Sequence, residues 1–90
     1  MDLKFNKQGT KWVAEFEATS DFNLHIEKER GGIYIQQKSV REGKWDSVKN
    51  LNISPVDEVL EYGVIVPVPP MFVRIVSEIE PTMAVITFAQ

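Results

Sequence analysis

The chain contains no cysteine, and among its 90 residues there is a single histidine. Disulfides are therefore excluded, as are the thiolate zinc sites and cysteine nucleophiles that need a sulfur ligand or attacking group. The lack of disulfides in so small a domain points to a reducing compartment. No dense run of Lys or Arg is present; ten basic residues are spread from Lys4 to Arg74 and the net charge is −3. A surface of that kind is poorly suited to neutralising a phosphate backbone, so no nucleic-acid partner is expected.

Long apolar runs are missing too. The longest, Val64 to Val73, is broken by Pro67, Pro69 and Pro70, and it falls well short of the ~20 residues that a membrane helix requires. The opening Met1-Asp2-Leu3-Lys4-Phe5-Asn6-Lys7 has no signal-peptide apolar segment, so a cytoplasmic location is expected and no membrane partner. Neither a glycine-rich phosphate loop nor a repeat or low-complexity tract occurs.

Hydrophobic residues make up 43% of the chain and charged residues 26%, a globular balance that excludes disorder. A length of 90 residues accommodates one domain, residues 1–90. Turn signals recur at Thr19-Ser20-Asp21, Arg30-Gly31-Gly32, Glu42-Gly43-Lys44, Asn52 to Pro55, Pro67 to Pro70 and Glu80-Pro81-Thr82. Turns at intervals of about 8–12 residues, separated by β-branched and aromatic residues, predict an all-β antiparallel sandwich. About seven strands are expected, in an immunoglobulin/fibronectin-like or jelly-roll-like arrangement.

The segments between the turns alternate with the strand period of two. Trp12, Ala14, Phe16 and Ala18 share one side of the first; Phe22, Leu24 and Ile26 share one side of the second; Ile33 and Ile35 follow after Gly31-Gly32. The last two segments read as a hairpin. Trp12, Phe16, Leu24, Ile26, Ile35, Val73 and Ile75 are the expected core. Lys44 to Leu51 is irregular, because Trp45 and Val48 fall on opposite faces, and predicts a bulge, an edge position or a twist. Ser54 to Gly63 carries both a helical cap pattern and a Leu60, Tyr62, Val64, Val66 alternation. A strand from about Leu60 is expected, with room for one short helical turn near 55–60.

Chemistry-bearing residues are sparse. His25 with Glu27 could ligate a metal only beside Glu15 or Glu17, and closed sites need more histidine or thiolate. The pairs Glu15/Glu17 and Glu27/Glu29 each lie along one strand, whereas acid and base must flank a sugar from opposite sides; Lys11, Lys28 and Lys38 are placed to neutralise them across strands. No enzyme activity, metal or cofactor is therefore expected. Tyr34 and Trp45 are the candidate platform for a ligand such as a glycan. Pro69, Pro70, Met71, Phe72, Met83 and Phe88 are the candidate interface, since the proline segment and the apolar closing strand ask for a second cover.

Trp12-Val13-Ala14-Glu15-Phe16, Phe22-Asn23-Leu24-His25-Ile26, Pro70-Met71-Phe72-Val73-Arg74-Ile75-Val76-Ser77 and the closing Pro81 to Thr87 resemble, over most of the chain, small uncharacterised virion proteins of tailed bacteriophages infecting gut Bacteroides-type hosts. Fibronectin type III-like domains share the proline, the Arg-Ile-Val strand and the closing strand. The phage resemblance implies a capsid-associated, decoration or tail-fibre protein located in the virion, with itself or other virion proteins as partners. The alternative is a stand-alone immunoglobulin-like or carbohydrate-binding module.

Overall fold

Strict alternation in the sequence becomes alternation of burial in the structure. A computed structural model describes residues 1–52 and 58–89. Eight strands run in chain order: β1 (Asn6–Gln8), β2 (Lys11–Ala18), β3 (Phe22–Glu27), β4 (Gly32–Lys38), β5 (Asp46–Asn52), β6 (Val59–Val64), β7 (Met71–Ser77) and β8 (Met83–Phe88). They form a five-stranded sheet ordered β1-β2-β7-β4-β5 and a three-stranded sheet ordered β6-β3-β8, and every pairing is antiparallel. The β-sandwich expected from the turn spacing is thus present, with β1 added to the seven longer strands.

Its core is the aliphatic layer between the sheets. Leu24 and Ile26 of β3 and Ile86 of β8 meet Ile33 and Ile35 of β4 and Val73 and Ile75 of β7; each is 1% exposed or less. At one end Phe16, Phe22 and Phe88 pack edge to face, with ring centroids 5.3 to 6.3 Å apart, the arrangement that aromatic quadrupoles prefer. Six of the seven expected core residues lie in this layer or pack on it. Trp12 does not: it holds the inward register opposite Ser77, yet it is only half-buried at the rim, with Lys7 Nζ 6.0 Å from its ring centroid.

Two further expectations change. The β3 and β4 segments are not a hairpin, because β3 lies in the smaller sheet and β4 in the larger. The link between them crosses the sandwich, and the buried Lys28 directs its Nζ to the carbonyls of Glu29 (3.2 Å) and Gly31. Those bonds meet the backbone acceptors that a crossing link would otherwise leave unpaired, and burial lowers the Lys28 pKa against an opposing pull from Glu78. Gly31 fits there because a Cβ would come within 3.1 Å of Ile79 Cγ2. Lys28 is therefore a structural cation and does not neutralise the glutamate pairs.

The first ten residues also carry structure that the turn signals do not announce. Gly9, at φ +62°, opens a two-residue turn with Thr10 that pairs Gln8 with Lys11, and such turns favour glycine at that position because a Cβ would strain it. Met1 N and O bond to Ile86 O and N at 2.8 and 2.7 Å, and Leu3 N bonds to Ala84 O at 2.9 Å. Residues 1–3 therefore line β8, residues 6–8 line β2, and Leu3 and Phe5 pack on the core between them.

Residues 44–51 behave as expected. β5 is an edge strand, and the β4–β5 register shifts between Ile35 and Gln36. β6 begins at Val59, in line with a strand from about Leu60, while the helical turn expected near 55 falls on residues 53–57, outside the described residues.

In the immunoglobulin order the first strand lies beside the second and the last beside the sixth. Numbering from the first long strand, here β2 lies beside β7 and β8 beside β3. The two outermost strands have exchanged sheets.

Leu24→Ala is expected to cost about 2–5 kcal/mol in chemical denaturation, the range for a fully buried leucine. Trp12→Ala should cost less than Leu24→Ala; a larger loss would place the indole in the core.

Candidate functional site

Because the core uses one face of each strand, the other face carries whatever the protein offers to solvent. The outward residues of β6-β3-β8 fall into three rows: Gly63, Asn23 and Thr87; Glu61, His25 and Val85; Val59, Glu27 and Met83. His25 stands at the centre with a carboxylate on each ring nitrogen. Its Nε2 lies 2.8 Å from Glu27 Oε2, its Nδ1 contacts Glu61 Oε1, and Asn23 Nδ2 donates to Glu61 Oε2 at 2.6 Å.

That arrangement suits an imidazolium, since both ring nitrogens can donate only when the ring is protonated. The hydrogen bond to Glu27, then that to Glu61, raises the His25 pKa from 6.5, and the His25 bond in turn lowers that of Glu61 from 4.5. It does not suit a metal, which needs a ring-nitrogen lone pair. Glu15 and Glu17, the further ligands considered from sequence, lie on the outer face of the five-stranded sheet, across the sandwich from His25. Among the described residues no three His, Cys, Asp or Glu side chains are grouped to hold a metal.

The outer face of the five-stranded sheet is built differently. Its cross-strand rows include Val13, Val76, Tyr34 and Asn50, then Glu15, Arg74, Gln36 and Ser47, then Glu17, Phe72 and Lys38. Trp45, from the turn before β5, packs against two cations of this face: Lys38 Nζ lies 4.4 Å and Arg74 Cζ 4.5 Å from its ring centroid. Arg41 Cζ lies 4.8 Å from the Phe72 ring. Arg74 Nε donates to Gln36 Oε1 at 2.7 Å. Beside these groups a groove of about 500 Å³ opens between Lys11, Tyr34, Gln36 and Arg74, floored by Val13 and Val76.

Tyr34 and Trp45, the expected ligand platform, thus share one face but not one role. Tyr34 lines the groove, whereas Trp45 is already engaged by Lys38 and Arg74. Arg74 is the residue that sequence reasoning missed. Its signal was the alternation Phe72, Arg74, Val76, which puts a guanidinium between two apolar outward residues of a central strand.

The expected interface residues do not converge. Met71 and Phe88 pack on the core, Phe72 is outward beneath Arg41, and Met83 is outward on the smaller sheet, 47% exposed. Pro69 and Pro70 are exposed in the link between β6 and β7, which runs from the edge strand of the smaller sheet to an interior strand of the larger. The apolar residues that protrude there are Ile65 (72% exposed) and Val68 (65%). Ile65 sits on the wall of a hollow of about 450 Å³ that also includes Phe22, Gly63, Val64, Phe88 and Ala89; a Cβ at Gly63 would meet only open space.

No protein-family model, curated protein or solved structure matches this chain.

Protonated His25 is favoured by folding, so its stabilisation is full below the unfolded value of about 6.5 and is lost as pH rises through the raised folded value. The Glu61 contribution runs the other way, present above 4.5 and lost as pH falls through its lowered value. An NMR titration of the single histidine should give a pKa above 6.5, moving down in Glu27→Gln. A value at or below 6.5 would show that the carboxylates do not hold the ring in solution.

Proposed function

We propose that this chain is a non-enzymatic assembly subunit, of the capsid-associated, decoration or tail-fibre kind that its sequence resembles, located in a virion and acting through surface contact. The observation that carries this reading is the pair Ile65 and Val68, the two most exposed large apolar side chains among the described residues. Single exposed apolar residues are ordinary, but these two flank Pro67 on one link beside an apolar hollow.

The link is held in place from both sides. Val64 and Val66 are buried, Gln37 Nε2 donates to Ile65 O at 3.0 Å, and Val66 N donates to Asp21 Oδ1 at 2.8 Å. An apolar projection on such a tether loses little entropy on docking, which favours its use as a contact. The partners fitted to it are a second copy of this chain and neighbouring virion proteins. The hollow over Gly63 receives a side chain, and Ile65 supplies one.

Light scattering across concentrations should show self-association, and Ile65→Lys with Val68→Lys should weaken it by at least tenfold while leaving the unfolding midpoint nearly unchanged, since both side chains already face solvent. A strict monomer at ~0.1 mM would remove self-assembly, because interfaces of standard size usually bind more tightly than that; capture of other virion proteins lost in the same double variant would then be required to sustain the reading.

A further inference from the structure

We infer that the groove on the outer face of the five-stranded sheet is a binding site for an acidic saccharide, with Arg74 receiving its carboxylate. Other polar clusters are already satisfied internally: His25 by Glu27 and Glu61, and Lys28 by backbone carbonyls. Arg74 is only half satisfied. Its Nε is committed to Gln36 and its Cζ lies 4.5 Å from the Trp45 ring centroid, yet among the described residues it makes no ion pair and no further hydrogen bond.

An arginine in that state is oriented before any ligand arrives. With Nε taken, the two terminal nitrogens remain, and their spacing matches the two oxygens of a carboxylate. Fixing the guanidinium in advance removes the side-chain entropy that a flexible surface arginine would lose on binding. Lys11, at the opposite end of the groove, is likewise free of an ion pair among the described residues. Glu15 is the register neighbour of Arg74 but does not line the groove.

The remaining lining favours a sugar over a peptide. Val13 and Val76 offer a small apolar floor to the C–H face of a ring, Tyr34 offers an aromatic edge and a hydroxyl, and Gln8 and Gln36 offer amides that donate and accept. Polyols need that mixture. An extended peptide would need backbone partners as well, and β2, β7 and β4 beneath the groove are paired on both sides, so no strand can be added there. A volume of about 500 Å³ lies within the usual range of about 300–1,000 Å³ for small-molecule sites.

The test is an amide-shift titration of the whole chain with trigalacturonate, sialyllactose and a hyaluronan tetrasaccharide. Trigalacturonate methyl ester serves as the neutral counterpart and a glutamate-rich peptide of equal charge as the non-saccharide control. Saturable shifts centred on Tyr34, Gln36 and Val76 are expected with at least one acidic saccharide. Affinity should fall tenfold or more with the ester and in Arg74→Gln, fall in Tyr34→Ala, and stay unchanged in Glu61→Gln on the other sheet. No saturable binding by any of the three up to roughly 10 mM, where affinity is too weak to matter, would overturn the inference. So would equal binding of the ester, which removes the carboxylate from recognition, or of the peptide, which reduces it to charge.

Discussion

The aliphatic contact between β3 and the paired strands β4 and β7 is the constraint on which the remaining structure depends. Leu24 and Ile26 have no solvent exposure, and neither do Ile33, Ile35, Val73 and Ile75 opposite them. Because successive side chains on a strand alternate, fixing these six inward also fixes His25, Tyr34 and Arg74 outward. A slip of one residue in any of the three strands would bury a charge or a phenol and expose an isoleucine or valine. The register is therefore set by the core, and both outer faces inherit their residues from it.

Those two faces are stabilised by different means. On the smaller sheet, opposite charges meet in a compact group around His25, and the group has little left to offer a ligand. On the larger sheet, cations meet aromatic rings: Lys38 and Arg74 on Trp45, Arg41 on Phe72. Cation–ring contact holds a guanidinium in position without neutralising it, whereas a carboxylate partner would have cancelled its charge. The same contacts that engage Trp45 thus leave the Arg74 guanidinium without an ion pair among the described residues.

Much of this was legible in the chain itself. The even turn spacing and the period-two alternation carry the two-sheet architecture, the irregular β5 edge and most of the core, because those depend on local patterning. What was not legible depends on which strands become neighbours. Phe22–Ile26 and Ile33–Gln36 look like a hairpin, since nothing local distinguishes a tight turn from a link that crosses the sandwich; the distinction lies in Lys28 folding back on carbonyls. Trp12 has the right parity for the core but sits where the sandwich ends. Arg74 and Trp45 lie 29 positions apart, and only their shared sheet face brings them together.

The exchange of outer strands has a consequence for how the chain is made. β3 is the middle strand of its sheet, and its two neighbours are β6 and β8. During synthesis, β2, β4, β5 and β7 can pair as soon as residues up to Ser77 have emerged, but the smaller sheet then exists only as β6 with β3, leaving one edge of β3 and part of the aliphatic layer uncovered. Closure waits for Met83–Phe88, and residues 1–3 can dock only on the far side of that last strand. The contacts of residues 1–3 thus require β8 to be present, across separations of up to 85 positions. A domain of this design leaves one edge of β3 unpaired until Met83–Phe88 are in place, the interval in which such an edge invites wrong partners.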